Sequence, residues 1–532
     1  MRIFIIRSTS ILYLIIFNIV MTNLQQMDKA FKGEFIILGN IITEKGKKAE
    51  YLWVKDGRIK TTGDGIPLHS PRNIPMTLLA PNWYVLPGLY DSHVHLRQTA
   101  IHSITTDLSE ARCKNDIIEI MRSSPEVGGI KIGRCFDDTA FPNGDIPTRR
   151  DLDCVSDRPV FISRIDSHLC VVNTAFLKYA DESMGIELPE TRDGIFRTEL
   201  YNLLYDIAMS GIDEQTVEKA ILKTIDETIK RGIVYLHCLE GGKIDPVSEA
   251  IQLRETLGKT NIKYRIYPQT FEIDEVVDAG FDTIGGCLLV DGSIGSRTAA
   301  LTEPYSDKPD DYGDLYLTRE TLTPFIMRAT GKGLQTAFHT IGDRATEEVI
   351  SAYQSVGSLA SEMRCRMEHF VVATNEHIKH VSELGLCVSM QPTFDRMWGG
   401  EGGMYNIRLG GRKTNRIRSA YKSGIVVAGG SDSDITPLDS LLGMASAMNH
   451  HNPEERLTFE EALHIYTYNS AYLAFEEKER GSLTKGKYAD FIIVNDNPEV
   501  CLDVEHHNLK VLATFIDGDP IFLSEELYSC VP

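Results

Sequence analysis

Two stretches near the ends of the chain carry the spacing of strands. Residues 34–42 (Glu-Phe-Ile-Ile-Leu-Gly-Asn-Ile-Ile) precede 51–59 (Tyr-Leu-Trp-Val-Lys-Asp-Gly-Arg-Ile), in which Asp56-Gly57 is a hairpin signal. A similar unit returns at 486–496, with Phe491-Ile-Ile-Val, and at 511–518, Val-Leu-Ala-Thr-Phe-Ile-Asp-Gly. The two ends therefore predict strands of one composite β-sandwich domain, 33–84 with 475–525, interrupted by everything between.

The middle reads differently. Short apolar runs at 85–90, 233–237, 263–267, 286–290, 334–338, 366–369, 386–390 and 425–428 alternate with helical stretches such as 214–231, 346–355 and 458–474. Strands alternating with helices are the pattern of parallel β/α units. Eight of them predict an α/β fold of the (β/α)₈ TIM-barrel kind over 85–474. An open doubly wound sheet is the rival, disfavoured because no Gly-rich phosphate loop occurs and polar residues cluster at nearly every strand end. Residues 97–230 are too many for a loop and hold runs of their own at 129–135 and 159–165, so they predict an inserted subdomain after strand 1.

Composition narrows the partners. A net charge of −20, from 55 basic and 75 acidic residues, argues against nucleic acid and against stable membrane association, and leaves a small-molecule substrate. Whether copies of the chain form a homo-oligomer stays open. The ten cysteines are dispersed, which speaks against a disulfide framework and for a reducing compartment. Residues 1–26 hold a ten-residue apolar run, too short to span a bilayer but suited to a signal-peptide core. No small-x-small cleavage site follows it and Met27 precedes the first domain-like sequence, so the expectation is a misassigned start and a cytoplasmic enzyme.

The chemistry begins at Asp91-Ser92-His93-Val94-His95. Strand side chains alternate, so His93 and His95 face one side and can reach one metal ion. His339, His369 and Asp432 fall at the ends of other predicted strands, where barrel enzymes build their sites. Four imidazoles and a carboxylate suit a divalent ion, Zn²⁺ before others, with a position left for water. Such an ion lowers the pKa of bound water to roughly 7 and polarises a carbonyl. Asp432 is the candidate proton shuttle, with Asp434 behind it.

These motifs resemble the amidohydrolase superfamily, in the YtcJ-like (amidohydrolase-3) branch typified by N-substituted formamide deformylase. The matching segments are Pro87-Gly-Leu-Tyr-Asp-Ser-His-Val-His95, Arg164-Ile-Asp-Ser-His168, Asp291-Gly-Ser-Ile-Gly-Ser-Arg-Thr-Ala299, His339-Thr-Ile-Gly-Asp343, Glu368-His369, Gln391-Pro392 and Gly430-Ser-Asp-Ser-Asp434. The resemblance runs from about 33 to 522. It implies a metal-dependent barrel that hydrolyses non-peptide carbon–nitrogen bonds of a small amide, N-acyl, N-formyl or cyclic amide compound. It also implies ligand roles for His93, His95, His339, His369 and Asp432.

One position departs from the pattern. Four residues before the Asp-Gly-Ser motif such enzymes often carry a lysine that bridges two metals after carboxylation; here the residue is Cys287. Cys287 is either a thiolate ligand shared by two ions or a small thiol beside a single one. His168 is a candidate to bind the substrate or polarise its carbonyl, and Glu199 matches a family glutamate. His237 is expected to face the barrel mouth, either behind the ligands or in the pocket, Arg297 against a substrate carboxylate or a structural acid, and His450-His451 and His506-His507 as exposed pairs without a role. Two other functions remain in view: deamination of an amino-heterocycle by the same centre, and a non-catalytic regulatory protein on the same barrel.

Overall fold

The computed structural model of the protein describes residues 31–530 apart from 68–69, 72, 139–140, 142–144, 166–168, 186–192, 242–244 and 503–508. The segments at 1–26 and His506-His507 lie outside the described residues. No described helix is long and apolar enough to cross a membrane.

The described residues up to His95 and from Ile225 onward form one compact unit. Its centre is a set of parallel strands: β1 (Leu89–Val94), β2 (Ile233–Glu240), β3 (Lys263–Pro268), β4 (Thr283–Ile284), β5 (Gln335–Thr340), β6 (Arg366–His369), β7 (Cys387–Met390) and β8 (Val426–Gly429). β1, β2 and β3 pair in parallel, as do β4 to β8 in chain order. The Gly285 N–H donates to Pro268 O (2.9 Å) between the ends of β4 and β3. The Asp432 N–H donates to His93 O (2.8 Å), and His95 N–H to Ser433 O (2.7 Å), between the ends of β8 and β1. Helices such as Pro246–Leu257, Arg319–Gly331, Asp343–Gln354 and Asn375–Glu383 alternate with the strands. This is a TIM-barrel-like α/β fold.

Two strands differ from the expectation. The run predicted at 85–90 divides at Gly88. Tyr84–Pro87 pairs with Phe491–Val494 and with Glu34–Ile42, whereas Leu89 starts β1. The hydrogen-bond direction changes there because Pro87 has no N–H to donate, and the Gly88 N–H turns to Asp490 O (2.9 Å). The fourth barrel strand is Thr283–Ile284 and not 286–290. Gly285 and Gly286 both take left-handed backbone (φ 96° and 57°), which ends the strand and puts Cys287 in the turn beyond it. The helix predicted at 458–474 also breaks, into Phe459–Ile465 and Tyr468–Leu473.

The chain ends share one eight-stranded sheet. Its order is Asp519–Leu523, Val511–Ile516, Phe491–Val494, Tyr84–Pro87, Glu34–Ile42, Lys48–Lys55 and Arg58–Gly63, with Met76–Leu78 also on Glu34–Ile42. One face buries an aromatic cluster in which Phe491 stacks on Phe515 at 4.1 Å and Phe31 meets Phe35 edge-on at 5.4 Å. Each such ring removes on the order of 150–250 Å² from water, the main term holding the sheet together.

Residues 96–224 form a second compact unit. Its five-stranded sheet runs Ile195–Arg197, Leu169–Val172, Val160–Arg164, Lys131–Phe136, Thr106–Asp107, and a core of Leu108, Ile117, Met121, Phe136, Ile162 and Val171 packs against it.

Candidate metal centre

The β1 alternation does what its spacing predicts: His93 Nε2 and His95 Nε2 both turn to Asp432, 3.1 and 3.2 Å from its Oδ1. Asp91, on the same strand, accepts from the backbone N–H groups of His93 and of Ser431 (3.0 Å each), pinning β1 to the loop after β8. That loop can approach only because residue 430 is glycine. A Cβ there would stand 2.7 Å from His93 Cβ. Asp432, beyond the end of β8, and His369, the last residue of β6, both take left-handed backbone (φ 54° and 69°), a cost of roughly 1–3 kcal/mol apiece that the surrounding hydrogen bonds must sustain.

On the other side Cys287 Sγ lies 3.5 Å from His339 Nδ1 and 3.5 Å from His369 Nε2. Three sets of ligand atoms are each close enough for one ion: His93 with His95 and Cys287; Cys287 with His339 and His369; His93 with His369 and Asp432. Cys287 belongs to two of them.

Each imidazole is also held from behind, and the acceptor fixes its tautomer. His93 Nδ1 donates to Glu368 Oε2 (2.6 Å), His95 Nδ1 to Leu239 O (2.9 Å), His339 Nε2 to Gly292 O (3.0 Å), and His369 Nδ1 to Gln391 Oε1 (2.8 Å). None of these acceptors can donate, so the N–H points outward and the second nitrogen turns a lone pair inward. The buried His93 Nε2 makes no aligned hydrogen bond despite its 3.1 Å approach to Asp432. Atoms aimed at a shared third point have that geometry. The donor set therefore fits a divalent cation.

The electrostatics agree. Burial would push the Asp432 carboxyl and the Cys287 thiol up, but the imidazoles outweigh it and hold both well below their ordinary values. Conversely, burial would lower His93 and His95, yet Asp432 and Cys287 raise both. Against the same burial, Cys287 pushes His339 up to about 9. The carboxylate and thiolate demand positive charge in this pocket, which a bound cation supplies.

Behind His93 lies a network that the sequence motifs contain but spacing did not single out. Arg366 is fully buried and pairs with Glu368 through both its Nε and its Nη2, the latter at 2.8 Å. It also donates to His237 Nδ1 (3.0 Å), Tyr267 Oη (3.2 Å) and Ser92 O (2.6 Å). Burial raises the Glu368 carboxyl, but Arg366 and His93 outweigh it and keep it ionised. A cue was available: Arg366 and Glu368 are two apart on one short strand, hence on one face. Asp291 opens the Asp-Gly-Ser motif. It accepts from the backbone N–H groups of Ala300 (2.9 Å), Ile341 (3.0 Å) and Gly342 (2.7 Å), joining the loop after β4 to the loop after β5.

Several expectations change. His237 is not at the mouth: it is wholly buried inside the strands against Arg366, and burial holds its pKa well down. Arg297 pairs with Asp307 (2.5 Å), a structural acid. His450 is buried, 3.3 Å from Asp395 Oδ1, because the helix before it packs on the segment carrying Asp395; half-exposed His451 reaches Asp395 Oδ2 at 3.0 Å. Asp434 is half-buried beside the site. His168 lies outside the described residues. Glu199 falls within the helix Thr198–Ser210, in the second unit.

Comparison with known proteins agrees with this architecture. The model of the amidohydrolase family matches residues 80–522. YtcJ of Bacillus subtilis (strain 168) is 29% identical over 93% of this chain and 99% of its own length. The N-substituted formamide deformylase of Arthrobacter pascens is 22% identical over 82% of this chain and 87% of its own. Among solved structures, an uncharacterized metal-dependent hydrolase from Pyrococcus furiosus superposes with a TM-score of 0.73 at 25% identity, covering 88% of this chain and all of that one. The family model covers most of the chain and every donor of the cluster, so this chain belongs to the amidohydrolase family and is a hydrolase acting on carbon–nitrogen bonds.

Proposed function

We propose that the protein hydrolyses the carbon–nitrogen bond of a small amide, N-acyl, N-formyl or cyclic amide compound at a centre of two divalent ions that share Cys287. The observation that carries this reading is the convergence of four imidazoles, each with its outer N–H committed, on Asp432 and Cys287. His93, His95 and Cys287 would hold one ion; Cys287, His339 and His369 the other. The eight parallel strands are read as a closed (β/α)₈ barrel with these donors at its C-terminal mouth, and the shared sheet as the composite domain of the two chain ends.

When bound, a divalent ion supplies a bound water of lowered pKa and polarisation of the scissile carbonyl. The protein supplies the rest. Asp432, with Oδ1 beside His93 and His95, takes the proton of the attacking water and delivers it to the leaving nitrogen. Glu368 keeps His93 in the tautomer that presents Nε2, and Gln391 does the same for His369.

Elemental analysis of the purified wild type and of Cys287→Ala tests the reading. Two ions per chain falling to one in the variant is expected; equal content in both removes the shared thiolate. Zinc is the expected ion. Product analysis on an amide panel must show amine with carboxylate or formate. Release of ammonia from amino-heterocycles would make the protein a deaminase instead.

A further inference from the structure

The donor cluster is polar, but what lies next to it is not. After β7 the chain does not pass directly into the next barrel helix. It makes an excursion of two short helices, Pro392–Trp398 and Met404–Leu409, joined by Gly399-Gly-Glu-Gly-Gly403. Phe394 of the first helix stacks on the ligand His369, ring centroids 5.8 Å apart and planes within 11°. Trp398, one turn on, meets Phe394 at 4.9 Å, and Tyr405 of the second helix meets Trp398 at 6.0 Å. A ladder of rings thus leads outward from a ligand.

The second helix is tied to the opposite wall. Arg408 donates to Ile294 O (2.7 Å) in the loop whose Gly292 carbonyl holds His339. The Met404 methyl lies 3.7 Å from where a Cβ on Gly295 of that loop would stand. Trp398 and Met404 are only half-buried, while their neighbours Phe394, Tyr405 and Ile294 are buried. Leu289, two residues beyond Cys287, is 51% exposed, and so is Ile435, whose N–H donates to Asp432 O (2.7 Å). The loops that carry Cys287 and Asp432 and the excursion that backs His369 each present incompletely buried apolar side chains.

We propose that Trp398 and Met404 form a subsite for a bulky apolar, ring-sized group of the substrate, a few bonds away from the scissile amide. The inference rests on the metal-centre reading given above and names the substrate class: an amide carrying a large apolar substituent, in preference to a small polar or charged one. Two ring steps separate Trp398 from His369, which sets the spacing between the apolar group and the reacting atoms. Burying that group completes the packing that Trp398 and Met404 lack.

Hydroxamates with graded tails test it, because the head group requires the metal while the tail reads the subsite. Acetohydroxamate, hexanohydroxamate and 4-phenylbutyrohydroxamate are titrated by calorimetry into the zinc-loaded full-length wild type, Trp398→Ala and Trp398→Phe. In the wild type Kd is expected to tighten from the acetyl to the phenylbutyryl compound by at least about tenfold, the ceiling being roughly fourfold per fully buried methylene. Trp398→Ala should lose most of that gain while binding acetohydroxamate within about twofold of wild type; Trp398→Phe should keep most of it. Equal affinity of the wild type for all three compounds overturns the subsite. An equal loss for all three in Trp398→Ala does so too. If acetohydroxamate fails to bind the wild type at all, the metal-centre reading falls, and this inference with it.

Discussion

The two sides of the donor cluster are built on different principles. On the β1 side the ligands follow the alternation of a strand, His93 within β1 and His95 just past its end, and His93 is backed by an ionised carboxylate that a buried arginine clamps. On the β4 side the strand is two residues long, the ligand Cys287 sits in a turn made by two glycines, and His339 leans on a neutral backbone carbonyl. Each side is stapled by a buried aspartate: Asp91 takes the N–H groups of His93 and Ser431, Asp291 those of Ala300, Ile341 and Gly342. The lesson is that one centre can combine a preformed half, fixed by strand geometry and charge, with a half whose shape depends on loops and on one carboxylate.

The comparison can be broken most decisively at the group between the halves. Asp432→Asn should lower kcat by about a thousandfold, the usual range for a positioned acid–base being 10²–10⁴, with metal content unchanged. A variant retaining wild-type turnover on any substrate found would remove the proton shuttle. Next, Asp291→Ala leaves three buried N–H donors without their acceptor, at about 1–3 kcal/mol each. Urea unfolding should show a larger loss than for Asp91→Ala, which strands two; the reverse order would mean the β4 side does not depend on its aspartate.

Glu368→Gln probes the charged backing of the first half. An amide still accepts from His93 Nδ1 but loses the charge and strands Arg366, so chelator titration should show metal affinity weakened by about 10–100-fold. Gln391→Ala, on a neutral contact, should weaken it less; equal effects would erase the difference between the halves. Smallest of all, Arg297→Ala breaks a partly exposed pair with Asp307 and should cost no more than about 1 kcal/mol, with kcat/KM unchanged. A selective loss toward acidic substrates would return Arg297 to the pocket.

How much of this could be read from residue order follows the same division. His93 and His95 were legible because a strand has a period of two, and His339, His369 and Asp432 because apolar runs end at them. The ring pattern of Cys287, His339 and His369 was not, since it depends on where the Gly285-Gly286 turn aims a thiol. The strand at 85–90 was misread for a related reason. Pro87-Gly88 marks an irregularity in that run, but nothing in it says that the first half pairs with a strand four hundred residues away. His450 looked like half of an exposed pair because helix packing, not local polarity, buries it. Arg366 and Glu368 would ordinarily be taken for surface charges, and only the fold makes them a buried clamp.

That distant pairing has a consequence for how the enzyme comes into being. Tyr84–Pro87, which leads straight into the strand of His93 and His95, finds its partner in Phe491–Val494. During synthesis the N-terminal half of the sheet must wait, with one edge open, until nearly five hundred residues have left the ribosome. Contacts so far apart in sequence form slowly, and unpaired edges invite association while they wait. The segment leading into the metal-binding strand is therefore among the last parts to be paired, so a ribosome that stalls before residue 490 releases a chain that carries every ligand while the strand just before the first two lacks one of its partners.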